Sequence, residues 1–186
     1  MKAIISDFDG TLFDTAEANF LAYQDSFRKN GLTLTKEDYN RFFGLRFDSL
    51  MKALNIPYEL HKKIKIDKAE FYLERIRYNY VNPNINLLRF IENEHNNGIK
   101  TAIASTASAC NVKAILEHFR KTHLFDVVLT GEDVEHGKPD PDVYLKALEK
   151  LNVSAEDAIA FEDTPIGMLA AERAKINCIN IAIRNI

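Results

Sequence analysis

No stretch of the sequence approaches the roughly 18 consecutive apolar residues that a membrane-spanning helix requires. The amino terminus is equally short of apolar length. In MKAIISDFDG only a few apolar residues separate Lys2 from Asp7, too few for the core of a secretory signal, so neither leader nor anchor is expected. Cysteine is scarce: Cys110 and Cys178 lack CxxC or metal-type spacing, which excludes a disulfide framework and points to a reducing, cytoplasmic setting. Positive charge is not in excess either. With 24 Lys and Arg against 27 Asp and Glu, the net charge of −3 leaves no electrostatic footprint for nucleic acid. Internal repeats and low-complexity segments are absent, and the five histidines show no ligand spacing, only His136 standing close to a charged motif.

What is present is an ordinary globular composition. Hydrophobic residues make up 46% and charged residues 27% of 186 positions, enough for one core with a modest insertion. A short apolar run, Ala3-Ile4-Ile5, reads as a buried strand. From Thr15 to Tyr80 the pattern is helix after helix: Thr15 as a cap with Gly31 as a stop, then helices over Thr35–Phe43, Phe47–Leu54 and Tyr58–Tyr80. After Pro83 strands alternate with helices. Helices are expected over Leu87–Asn96, Ala109–Arg120, Pro141–Leu151 and Pro165–Ala174, and strands over Lys100–Ser105, Val127–Thr130, Ala158–Phe161 and Cys178–Ile183. That alternation implies right-handed crossovers and a parallel sheet covered on both faces. The expected fold is α/β: a Rossmann-like parallel sheet core, residues 1–14 and 81–186, with an inserted α-helical cap, residues 15–80.

Open parallel sheets bind ligands beyond the carboxyl ends of their strands, where strand order reverses. The residues directly after each expected strand are therefore informative. Asp7 and Asp9 follow the first strand, Ser105 and Thr106 the second, Lys138 lies in the loop after the third, and Glu162-Asp163 close the fourth. Crowded carboxylates repel unless one is protonated or a cation lies among them. A hard divalent ion with oxygen ligands resolves this, and with few neutral oxygens in the set magnesium is expected rather than calcium. Phosphoryl transfer uses every part. One carboxylate attacks phosphorus, a second carboxyl group moves protons, the metal screens charge, and Ser105 with the following helix start and Lys138 hold phosphoryl oxygens. Gly10 permits the sharp departure of the chain from the first strand. Each residue has a plainer alternative as a turn former, a cap or a solvated lysine. It is their joint occurrence that argues for a site.

The segments DFDGTL (Asp7–Leu12), IAST ending at Ser105 and Thr106, GKPDP (Gly137–Pro141) and FEDTPIG (Phe161–Gly167) resemble the four ordered motifs of the haloacid dehalogenase-like hydrolases. The nearest branch is that of beta-phosphoglucomutase and sugar-phosphate phosphatases, and the helical block resembles its cap. The resemblance implies Asp7 as nucleophile, Asp9 as acid/base, and Ser105, Thr106, Lys138, Gly10 and Thr11 around the phosphate. It also implies Mg2+ held by Asp7, the Asp9 carbonyl, Glu162 and Asp163. Arg46, in FFGLRFDSL, is a candidate for a second anionic group of the substrate, although an arginine solvated on a helix surface is the commoner arrangement. The implied activity is hydrolysis of a small phosphorylated metabolite, with oligomeric state unspecified. A phosphomutase would share every core residue, and a non-catalytic phospholigand-binding regulator would not need the intact Asp7 and Asp9 pair. Dehalogenation would leave Asp9, Glu162 and Asp163 without a purpose. Two departures from the family pattern stand out. Lys175 occupies a position usually glycine, so the last helix is expected to end differently, and Cys178–Ile183 is expected to form a poorly protected edge.

Overall fold

The computed structural model describes residues 1–42, 45 and 47–181. Arg46, Phe43 and the expected continuation of the last strand through Ile183 lie outside them. In chain order the elements are β1 (Ala3–Ser6), β2 (Phe13–Asp14), α1 (Ala16–Lys29), α2 (Lys36–Arg41), α3 (Phe47–Ala53) and α4 (Tyr58–Arg77). There follow β3 (Asn82–Pro83), α5 (Ile85–Asn96), β4 (Lys100–Ala104), α6 (Ala109–His118), β5 (Val127–Leu129), α7 (Asp142–Leu151), β6 (Ala158–Glu162), α8 (Pro165–Arg173) and β7 (Asn177–Asn180). Two compact units result, Met1–Asp14 with Asn82–Ile186, and Thr15–Val81.

The first unit is built on a five-stranded sheet in the order β5-β4-β1-β6-β7, every pairing parallel. From β1 the chain steps outward through β4 and β5, then returns to the other side of β1 with β6. The reversal of order falls between β1 and β6, so their carboxyl ends flank the crevice where such sheets bind ligands. One face of the sheet is lined by small residues: Ala3, Ala102, Ala104, Ala158 and Ala160 are all buried there with Val143, Tyr144, Ala147, Leu148 and Leu151 of α7 and Ala170 and Ala171 of α8. Short side chains on the strands let α7 and α8 lie close. On the opposite face Phe90 of α5 meets Phe161 edge-on, with ring centroids 5.9 Å apart.

The second unit is all helix, and its core gathers Phe20, Tyr23, Phe27, Leu34, Tyr39, Leu50, Met51 and Ile64. Ser26 donates its hydroxyl to the Ile64 carbonyl at 2.9 Å, tying α1 to α4. Thr35 caps α2 by accepting from the Asp38 N–H. Thr15 does not cap α1. Its backbone is helical, at φ −107° and ψ −4°, rather than in the extended conformation that swings a side-chain oxygen over the first-turn N–H groups.

Three further features differ from the sequence reading. The connections into and out of the helical unit pair as a short antiparallel ribbon, Phe13 opposite Pro83 and Asp14 opposite Asn82. No alternating pattern announces strands of two residues. Helix α5 begins two residues early because Asn84 accepts from the Leu87 N–H. And α8 does end in a left-handed residue: Lys175 stands at φ 60°, with Lys175 N–H bonded to the Glu172 carbonyl and Ile176 N–H to the Ala171 carbonyl. This is a Schellman ending, and burial of Ile176 holds Lys175 in a conformation glycine would adopt without penalty.

Replacing Lys175 by glycine removes about 1–2 kcal/mol of left-handed strain and adds roughly 0.4–1 kcal/mol of unfolded-state entropy. The K175G protein is therefore expected to gain about 0.5–1 kcal/mol in urea denaturation, at unchanged slope. A lower midpoint would contradict this account of the helix end.

Candidate active site

Side chains alternate along a strand, so residues two apart share a face. On β1 this puts Asp7 on the side of Ile5 and Ala3, and on β6 it puts Glu162 on the side of Ala160 and Ala158, the face covered by α7 and α8. The Asp7 N–H donates to the Phe161 carbonyl at 2.9 Å, carrying the β1–β6 ladder one step past Ser6. Two acidic residues are thereby driven into the interior. Asp7 is buried and Glu162 completely so. A buried carboxylate without partners is costly, and the fold supplies donors.

Lys138 is the first. Its ammonium donates to Asp7 Oδ1 at 2.6 Å and to Glu162 Oε1 at 2.5 Å, with the lysine side chain 5% exposed. Tyr144, in the first turn of α7, donates its hydroxyl to the same Glu162 Oε1 at 2.5 Å. Glu162 Oε2 is buried and has no hydrogen-bond partner. Asp163, in the bend directly after β6, receives the Thr11 hydroxyl on Oδ1 at 3.1 Å. Ligand oxygens of Asp7, Glu162 and Asp163 all lie within 4.8 Å of one another. The Asp9 carboxylate is not part of that trio, so a contribution from Asp9 to a metal would run through its main-chain oxygen.

Two glycines make room. Gly10, at φ 95°, turns the chain away from β1, and a Cβ there would stand 2.0 Å from Asp163 Oδ2. Gly167, in the first turn of α8, lies directly against the Glu162 carboxylate: a Cβ would meet Oε2 at 2.1 Å. The phosphate-binding candidates occupy the neighbouring strand end. Ser105 is buried after β4 and accepts the Ala107 N–H on its hydroxyl at 3.0 Å, and Thr106 follows, half-buried. Gly131, after β5, lets the chains close up, since a Cβ there would be 2.6 Å from the Thr106 carbonyl oxygen. His136 points elsewhere. It is exposed, and its Nδ1 lies 3.1 Å from Asp142. His136, Asp140 and Asp142 also bring ligand atoms within reach of one another, but His136 is exposed, the two aspartates are half-buried, and the three are hydrogen-bonded among themselves. Sequence reasoning missed Tyr144, Gly167 and Gly131. For Tyr144 a signal existed: β6 alternation places Glu162 on the buried face, which demands a donor from α7 or α8.

The charges do not balance. Burial alone would push Lys138 toward neutrality, yet the carboxylates of Asp7 and Glu162 reverse this and raise its pKa above the ordinary lysine value. For Glu162, burial and then repulsion by Asp7 outweigh Lys138 and Tyr144, lifting it from 4.5 to about 7. Asp163 rises from 3.8 to about 7, first through burial and second through Asp7. One ammonium faces three carboxylates. The excess negative charge, the partnerless Oε2 and an all-oxygen donor set suit a hard divalent cation.

A carboxyl group whose pKa is raised on folding stabilises the folded state at low pH and loses that contribution as pH rises through the raised value. Metal-free protein should accordingly melt at a lower temperature at pH 8 than at pH 5, and a divalent cation that binds the trio should raise melting more at pH 8. Asp163→Asn should flatten that trend; an unchanged slope in calorimetry would show that the charge excess is not felt. Gly167→Ala should cost on the order of 1–3 kcal/mol, because the added methyl displaces Glu162. Stability matching wild type would refute the close approach.

Comparison with known proteins follows the same lines. The haloacid dehalogenase-like hydrolase family matches residues 4–181. A phosphorylated carbohydrates phosphatase of Thermotoga maritima is 34% identical, aligned over 96% of this chain and 84% of its own. The crystal structure of CbbY from Rhodobacter sphaeroides in complex with phosphate superposes with a TM-score of 0.88 at 29% identity, covering 98% of this chain and 86% of that one. A mutant of the same protein, in complex with xylulose-(1,5)bisphosphate, is 30% identical with a TM-score of 0.88, over 98% of this chain and 86% of that one. On sequence and fold together, the chain belongs to the haloacid dehalogenase-like hydrolase family.

Proposed function

We propose that this hydrolase is a magnesium-dependent phosphatase acting on a small phosphorylated carbohydrate through an aspartyl-phosphate. The observation that carries the reading is the trio Asp7, Glu162 and Asp163, the first two buried and the third half-buried, with the Lys138 ammonium bonded to two of them and one oxygen, Glu162 Oε2, left without a donor. The substrate class rests on the names of the similar proteins, a phosphorylated carbohydrates phosphatase and a CbbY bound to a sugar bisphosphate. Asp7, Glu162 and Asp163 with the Asp9 carbonyl would hold Mg2+, whose chemistry is to offset the negative charges of nucleophile and phosphate.

Lys138 occupies Asp7 Oδ1, which leaves the other oxygen of Asp7 for attack. That oxygen bonds to phosphorus while the ester P–O bond breaks, and Asp9 delivers a proton to the departing alcohol oxygen. Asp9, now a carboxylate, takes a proton from water as that water attacks phosphorus. The bond to Asp7 breaks, and inorganic phosphate leaves. Lys138 and the N–H groups around Ser105 and Thr106 supply donors for the phosphoryl oxygens. Thr11, whose hydroxyl is committed to Asp163, acts by steadying that carboxylate. The helical unit, Thr15–Val81, would serve as the cap that restricts access to small substrates. A reducing cytoplasmic setting suits the two free cysteines. Among the described residues no helix is long and apolar enough to cross a membrane.

The test is a panel of sugar phosphates assayed for inorganic phosphate beside an assay for isomer exchange. Phosphate release that stops with EDTA and returns with Mg2+ is expected; isomer exchange without release would make the protein a mutase instead. Asp7→Asn should lower turnover by a factor on the order of 10^6, the scale seen on removing a catalytic nucleophile. Retained activity in that variant would overturn the mechanism.

A further inference from the structure

The partners of Glu162 are unevenly shared. Lys138 and Tyr144 both donate to Oε1, at 2.5 Å each, whereas Oε2 has no partner. Gly167 closes the space against the carboxylate. Tyr144 is itself wholly buried, and its ring lies 5.2 Å from the Lys138 ammonium. One side chain therefore braces both the carboxylate and the cation that pairs with it. Packing does not require the hydroxyl. A phenylalanine would fill the same volume among Val143, Ala147 and Ala160, and a buried phenol is a cost unless it is hydrogen-bonded.

We propose that Tyr144 is a positioning residue: its hydroxyl, with Lys138, pins Oε1 of Glu162 so that Oε2 is kept for the metal. The inference rests on reading Asp7, Glu162 and Asp163 as a Mg2+ site. Groups that orient a ligating carboxylate by hydrogen bonding tune metal affinity substantially, typically by ten- to a hundred-fold. Without the hydroxyl, Oε1 keeps only Lys138, which is shared with Asp7, and the carboxylate loses the donor that comes from the rigid first turn of α7. Tyr144 touches neither phosphate nor leaving group in this account. Its effect should appear in metal binding and not in the chemical step.

The experiment is calorimetric titration of MgCl2 into metal-free wild type, Tyr144→Phe and Leu148→Val, with thermal melts of each. Leu148 belongs to the same helix and the same apolar cluster but has no hydrogen-bonding side-chain group, so it reports packing alone. Tyr144→Phe is expected to weaken Mg2+ binding by about ten-fold or more, with turnover recovering at saturating Mg2+. Leu148→Val should melt lower and bind Mg2+ as wild type does. Equal affinity in wild type and Tyr144→Phe would overturn the inference alone, as would an equal weakening in Leu148→Val. Wild type that takes up no Mg2+ would overturn the metal site and the inference with it.

Discussion

Burying ionised carboxylates in the interior of a small domain is among the most costly arrangements a fold can make, and it is repaid only when opposite charge and hydrogen bonds are close. Asp7, Glu162 and Asp163 converge, with Lys138 paired to the first two, and much of the surrounding structure follows from that. Lys138 must reach two carboxylates at once, so its loop is brought back over the sheet. Tyr144 contributes a neutral donor where a second ammonium would crowd the first. Glycine stands where any side chain would strike a carboxylate, at positions 10 and 167. The remaining imbalance suits a doubly charged ion.

The sheet makes this convergence possible at little cost to packing. Reversal of strand order between β1 and β6 places two acidic strand ends side by side, and the strand period of two sends Asp7 and Glu162 to the same face. Alanines at 3, 102, 104, 158 and 160 keep that face shallow, so α7 can approach until a tyrosine in its first turn touches the carboxylate. A face of larger residues would hold the helix farther out, and the phenol would fall short. Core composition and site geometry are thus one problem.

The parallel core was legible because β1, β4, β5 and β6 carry short apolar runs and α5 and α7 are amphipathic. The carboxylates that converge were legible for a related reason: Asp7, Glu162 and Asp163 stand at or just past a strand end, and Lys138 lies in the loop after β5. What the sequence could not show is where local pattern ends and tertiary contact begins. Tyr144 looks like any aromatic in a helix until the depth of Glu162 is known. Gly131 and Gly167 look like ordinary loop and helix glycines until the neighbouring chain is placed. Lys175 breaks a propensity rule, and only the buried Ile176 beside it explains why the helix still ends in a Schellman turn. The ribbon of β2 and β3 is too short to carry any periodicity.

That ribbon has a consequence for how such a protein can change. The main chain departs from the sheet-bearing unit at Asp14 and returns at Asn82, and these two residues face each other across an antiparallel pair, about 5 Å apart. The Asn84 N–H also donates to the Leu12 carbonyl, so exit and entry are fastened within the unit they serve. In topological terms the whole helical excursion is a hairpin loop, already closed at its base. Its length and content can vary with only a slowly growing entropic cost, because the two ends are already held together. The helical unit can therefore vary in length and content while the charged strand ends of the sheet-bearing unit are inherited intact.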